Sequence, residues 1–246
     1  MNVNLIYLSS GHCMDIKILF IFLCIYSISA SQVDDDFSDG DFLNNPTWSG
    51  SASDFMVNSN QEVQLNSTVA STSYLSTPHN LMVIDDKEWR IWTKQSFSPS
   101  SGNNGRIYLT ADNSDLSAVQ NGYYLQLGES GTNDAIRLFK LEGGASIPIC
   151  SGADGQIATS FEVSIKVTRS SGGVWSLYTD FSGETNYNFE SSNTDPSTLL
   201  GSHMGFVDVY TVSNATKFHY DNIYIGNLIV DSEPPVMQQI NIVNET

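Results

Sequence analysis

Cleaving a glycosidic bond with retention takes two carboxyl groups about 5–5.5 Å apart, a spacing that alternate residues of one β-strand supply. The nearest approach to this in the chain is Asp85-Asp86-Lys87-Glu88, where Asp86 and Glu88 stand in the i, i+2 relation. That cluster leads into an extended segment instead of sitting within one. None of the nine Glu residues is followed two positions later by Asp. HExxH, GxSxG, a P-loop and Cys/His metal spacings are all missing from the sequence. The four histidines, His219 among them, are scattered. Cys150 has no implied His partner and reads as a small core hydrophobe. These residues argue against catalysis.

A second set suits binding. Successive side chains of a strand point to opposite faces. In Glu88–Phe97 that puts Trp89, Ile91 and Phe97 inside and Glu88, Arg90, Trp92 and Lys94 outside. The same parity sends Ile107 and Leu109 in and Arg106 and Tyr108 out; Tyr123, Leu125 and Leu127 in and Tyr124 and Gln126 out; Ile136 and Leu138 in and Arg137 and Phe139 out. Flat aromatics beside planar hydrogen-bonding groups suit sugar rings, whose CH faces stack and whose hydroxyls bridge. Beyond residue 30 only nine residues are Lys or Arg, and Arg90, Lys94, Arg106 and Arg137 are four of them. If these strands are neighbours, the face of Arg90, Trp92, Lys94, Arg106, Tyr108, Tyr124, Gln126 and Arg137 is expected to bind an acidic polysaccharide or cell-surface glycan. The alternative is an ordinary wet sheet face with cross-strand aromatic and charge pairs.

The elements that must position these residues are strands throughout. Phe161–Thr179 is the clearest: Phe161, Val163, Ile165 and Val167 alternate with Glu162, Ser164, Lys166 and Thr168. Ser170-Ser171-Gly172-Gly173 then makes the turn, and Trp175 and Leu177 return on one side. Ala135–Leu141 and Ala145–Cys150 read as another hairpin around Gly143-Gly144. About a dozen such short strands follow one another at sandwich spacing, and no window sustains a 3.6-residue period. The fold class is all-β, a two-sheet antiparallel sandwich or jelly roll.

Composition bounds the setting. The formal net charge is −17, and dropping the Asp15/Lys17 pair of the leader leaves it unchanged. Such acidity disfavours nucleic acid and anionic membranes as partners. Residues 18–28 are an apolar run of signal-peptide length, and Ser29-Ala30 offers a cleavage site, so 1–30 is expected to be a signal peptide with Met14 an alternative start. The run is too short to span a bilayer. Residues 31–227 are assigned to the sandwich, 228–235 to a Pro-containing acidic linker, and 236–246 to the truncated start of a second domain. Beyond the leader only Cys150 remains of three cysteines, so the chain has no internal disulfide.

The stretches Asp35–Gly50 (DDFSDGDFLNNPTWSG), Val167–Gly183 (VTRSSGGVWSLYTDFSG) and Lys217–Gly226 (KFHYDNIYIG) resemble concanavalin A-like lectin/glucanase domains in their laminin-G-like form. The resemblance covers roughly Asp34–Asn227. It implies an N-terminal module of a secreted, multidomain bacterial surface protein, of a kind often followed by immunoglobulin-like or lamin-tail domains; residues 231–246 resemble the entry to an immunoglobulin-like one. It also implies that the first and last strands pair. A structural calcium ion near those strands is a further implication, with Asp34, Asp36 and Asp221 as oxygen donors together with backbone carbonyls. The Glu-x-Asp-x-x-Glu strand motif of the glucanase branch is not in the sequence. The functional expectation is therefore a non-catalytic, extracellular carbohydrate-binding or adhesion module. The alternatives are an architectural spacer without a ligand, or a glycoside hydrolase of the same fold.

Overall fold

The computed structural model describes residues 32–118 and 120–229. The expected leader, most of the linker and the second-domain start lie outside them. The elements in order are β1 (Val33–Asp35), β2 (Ser49–Gly50), β3 (Phe55–Val57), β4 (Val63–Leu65), β5 (Ser71–Pro78), β6 (Lys87–Gln95), β7 (Asn104–Ala111), β8 (Gly122–Leu127), β9 (Ile136–Glu142), β10 (Ala145–Ser151), β11 (Phe161–Arg169), β12 (Val174–Asp180), β13 (Asn188–Thr194), β14 (His203–Tyr210) and β15 (Phe218–Asn227). Two single-turn 3-10 segments, Ala52–Asp54 and Val212–Asn214, are the only helical pieces among the described residues.

Two antiparallel sheets stack as a sandwich. One has eight strands in the order β13-β12-β11-β6-β15-β4-β3, with β1 also on β15; the other has seven, β10-β9-β8-β7-β14-β5-β2. Along one edge of β15, β4 takes the first residues and β1 the later ones, with Val33 opposite Ile225. The first and last strands therefore pair, as the resemblance implied.

The alternation places the core where it was expected. Phe161, Val163, Ile165 and Val167 face inward with Trp175 and Leu177. Gly172 and Gly173 adopt φ +87 and +82 in the turn between β11 and β12, a backbone that side chains resist. Trp89 and Trp175 stack with centroids 5.5 Å apart, and the Trp89 indole donates across the sandwich to the Leu109 carbonyl at 2.9 Å. β13 carries no strand signal in its sequence, because the NFESSNT stretch is an edge strand with mostly exposed residues and no buried face to set an alternation.

The core also holds a polar island. Asp208 of β14 is fully buried, and its Oδ1 accepts a 2.5 Å hydrogen bond from the Tyr220 hydroxyl of β15. Its Oδ2 has no partner, nor does either end of the buried Gln95 amide. Gly105 makes the room, since a Cβ there would lie 2.8 Å from Gln95 Nε2 and 3.1 Å from the Tyr220 oxygen. Burial pushes the Asp208 carboxyl up to about 8 from 3.8, against the opposing hydrogen bond from Tyr220. The folded form thus holds a proton that the unfolded chain releases. This contribution to stability is full below 3.8 and is lost as pH rises through about 8. Wild type should melt several degrees lower near pH 8 than near pH 5, and Asp208→Asn, which mimics the neutral acid, should flatten that dependence in thermal melts. An unchanged slope would disprove the assignment.

Candidate functional site

The structure divides the expected binding face in two. Arg90, Trp92 and Lys94 stand on β6, near the middle of the eight-stranded sheet, with β11 and β15 as neighbours. Arg106 and Tyr108 (β7), Tyr124 and Gln126 (β8), and Arg137 and Phe139 (β9) stand together on the seven-stranded sheet. The segment between β6 and β7 carries the chain from one layer to the other, so strands consecutive in sequence are not neighbours here. Each subset faces outward, but on opposite sides of the molecule.

On the seven-stranded sheet, register sets the aromatics side by side. Tyr108 opposes Tyr124, and Tyr124 opposes Phe139. The Tyr124 and Phe139 rings stack at 5.3 Å, and Tyr108 lies 5.4 Å from Tyr124. The Arg106 guanidinium sits 5.1 Å over the Tyr124 ring while its Nε donates to Gln126 Oε1 at 2.9 Å. Gln126 Nε2 in turn donates to Gly128 O at 2.9 Å and Asn104 Oδ1 at 3.2 Å. Arg137 is held by Glu129 and Asp154, both at 2.9 Å.

Two expectations need correction here. Tyr108 and Tyr124 are each only 2% exposed, so they do not present bare stacking platforms. They belong to a second apolar cluster on this outer face, with Ala111, Leu116, Leu141 and Val207. The connection between β7 and β8 folds back over the sheet, pinned by the hydrogen bond from Ser76 Oγ to Ser114 O at 2.7 Å and by Asn121 N to Asp112 Oδ1 at 2.8 Å. Leu116 docks where Gly205 has no side chain; a Cβ there would lie 2.8 Å from Leu116 Cδ1. The cations do not form an open basic patch either, because Arg90, Lys94 and Arg137 are ion-paired and Arg106 is engaged by Gln126 and Tyr124. Arg106, bound to a neutral amide and a ring, keeps its positive charge without a carboxylate partner among the described residues.

What the face offers instead is a cleft of about 380 Å³ between the β7–β8 connection and the sheet. Tyr108, Leu141 and Val207 line its apolar part, and Thr72, Arg106 and Gln120 contribute polar groups. A second hollow of about 320 Å³ shares Arg106 and Ser146 with it and reaches Gln126 and Glu129. Gln120 is 2% exposed. Its Nε2 donates to Leu116 O at 2.8 Å, which fixes the amide, and its Oε1 has no partner. A buried amide oxygen without a donor costs free energy unless something supplies a proton. Gln120 was not legible in the sequence, where it sits in an irregular polar stretch with no period to follow.

Of the expected calcium donors, Asp36 lies near enough to Asp221 to raise its carboxyl, but the three carboxylates form no metal-holding group. Among the described residues no group of three or more His, Cys, Asp or Glu side chains is placed to hold a metal ion. Asp34 and Asp36 flank the inward Asp35 on the exposed side of the first strand. Asp221 lies opposite Trp92 at a register shift in β15 and accepts from Asn222 N at 2.7 Å. Burial raises its carboxyl to about 6, with smaller contributions from Asp36 and Glu62. The Asp86–Glu88 pair is likewise committed: Asp86 accepts from Ser171 N at 2.8 Å, and Glu88 is 2% exposed and paired with Arg90.

The architecture matches solved lectin domains. The Emp47p carbohydrate recognition domain aligns with a TM-score of 0.61 at 14% identity, over 82% of this chain and 97% of that one. The exoplasmic/lumenal domain of VIP36, in a Ca2+/Man2-bound form, gives 0.56 at 12% identity over 83% and 90%. Lectin II from Ulex europaeus gives 0.50 at 10% identity over 76% and 94%. No family model and no curated protein matches the sequence. At such identities the likeness establishes the fold, a concanavalin A-like sandwich.

Leu116→Ala should loosen the β7–β8 connection and lower stability by about 2–4 kcal/mol, read from urea unfolding. A loss near zero would mean that this segment does not depend on its apolar anchor.

Proposed function

We propose that the chain is a non-catalytic carbohydrate-binding module acting outside the cytoplasm, with the cleft over the seven-stranded sheet as its site. The observation that carries this reading is the cleft itself, whose lining sets tyrosine and aliphatic carbon beside the polar groups of Thr72, Arg106 and Gln120. A sugar supplies the complement, with CH faces against carbon and hydroxyls toward those polar groups. The matched structures support the class, since VIP36 has been solved with Man2 and with Man3GlcNAc bound. Arg106 lines the cleft with its charge unbalanced by a carboxylate, so the cleft suits acidic as well as neutral glycans. A structural calcium ion belongs to this proposal, supported by the Ca2+-bound forms of VIP36, with backbone carbonyls supplementing the first-strand and last-strand carboxylates.

The finer reading is an adhesion module of a secreted, multidomain surface protein, laminin-G-like in form, with immunoglobulin-like domains downstream. Its support is the sequence resemblance and the apolar run at residues 18–28. A glycosidase is disfavoured because Asp86 and Glu88 are tied into a turn and an ion pair. The burial of Tyr108 and Tyr124 favours the second reading, a spacer without a ligand.

Affinity electrophoresis and calorimetry with neutral mannose and glucose oligosaccharides should show binding that Gln120→Leu weakens about tenfold or more, with its melting temperature near that of wild type. Absence of binding to every glycan tried would favour the spacer.

A further inference from the structure

The other half of the outward set lies in a hollow of its own. On the outer face of the eight-stranded sheet, register lines up Asp34, Tyr224, Arg90, Lys166 and Tyr178 in one row across five strands. Trp92 stands in the next row, opposite Ser164. The turn after β12 rises over this floor. Asp180 shapes it by accepting from Ser182 N at 2.9 Å and Asn186 N at 2.7 Å, and Ser164 Oγ ties it down by donating to Gly183 O at 2.9 Å. Gly183, at φ +80, lets the turn lie close, for a Cβ there would approach Trp92 Nε1 to 3.1 Å. Between this turn and the first strand is a cavity of about 490 Å³, within the range of small-ligand sites.

Its chemistry is that of a polyol site. Tyr187 and Tyr224, both half-buried, supply ring surface beside the buried Trp92; Asp36, Glu184 and Asn222 supply hydrogen-bonding groups at the sides. Hydrogen bonds from Ser38 hold the Asp36 carboxyl below its usual range, so it acts as an acceptor. Arg90 pairs with Glu88 and lies 5.0 Å from the Tyr224 ring; Lys166, a cation with only ring contacts, sits between Tyr178 and Tyr187 at 4.6 and 4.9 Å. Asp34, Asp36 and Glu184 line the hollow against one cation, the paired Arg90, so it disfavours uronates and sulfates and accepts hydroxyl donors.

We infer that this hollow is a second saccharide site, specific for neutral sugars, so that the module binds on both outer faces. The inference rests on the carbohydrate reading above, though not on the cleft of the seven-stranded sheet. A chain with two opposed sites bridges polymer strands and gains avidity on a long polysaccharide.

The test is titration calorimetry of the full chain with neutral oligosaccharides of mannose, glucose and galactose, on wild type, Gln120→Leu, Tyr187→Ala and Thr185→Trp. Thr185 is exposed at the cavity mouth, so its enlargement blocks the hollow without touching the core. Wild type should take two equivalents per chain; each variant should retain one, with affinity at the altered site down about tenfold or more. Wild type should also make a long neutral polysaccharide turbid, and the variants should not. One equivalent that Gln120→Leu abolishes and Thr185→Trp spares overturns the second site and leaves the carbohydrate reading standing. One equivalent with the reverse dependence upholds this hollow and removes the cleft on the other sheet. No binding of any neutral oligosaccharide overturns both.

Discussion

Trp89 fixes how the two layers face one another. It projects from β6, near the middle of the eight-stranded sheet, and its indole N–H must find an acceptor in a place without water. The acceptor is the Leu109 carbonyl of β7 in the other sheet. The ring plane is set by Trp175, which in turn meets Tyr123 of β8 at 4.5 Å. A sandwich of smooth aliphatic faces would slide with little change in buried area. One directional bond, flanked by stacked rings, removes that freedom. Every outward residue of β6 and β7 then has a defined place on the surface.

The two outer faces use those places differently. On the seven-stranded side the β7–β8 connection adds a third layer, and the outward tyrosines become a small core with a cleft beside it. On the eight-stranded side only the short turn after β12 overhangs, leaving a rim of carboxylates and ring edges. The difference comes from the connections. A ten-residue excursion carrying Leu116 has an apolar anchor to bury, whereas the turn from Asp180 to Tyr187 is stapled through Asp180 and Ser164 hydrogen bonds.

The fold was legible because burial imposes period two, and Phe161–Arg169 or Glu88–Gln95 carry that period plainly. Inward and outward assignments at Trp89, Ile107, Tyr123 and Ile136 follow from it. Layer membership does not follow, since a strand's parity says nothing about which sheet it joins, and parity alone cannot separate Arg90 of β6 from Arg106 of β7. Nor does the burial of Trp92, Tyr108 and Tyr124, which depends on what irregular segments cover. Gln120 was invisible on the same ground, because its isolation is a property of tertiary geometry that no spacing encodes.

The pairing of β1 with β15 has a wider consequence. Val33 sits opposite Ile225, and Gln32 N donates to the Ile225 carbonyl at 2.7 Å, so the chain enters and leaves the sandwich side by side. A unit whose ends meet hangs from a polypeptide like a bead on a short stalk. It can be spliced into a surface loop of a host protein with little strain on either partner. Pulling on the flanking chain would load the β1–β15 hydrogen bonds first, peeling them one at a time while the rest of the sandwich bears no tension.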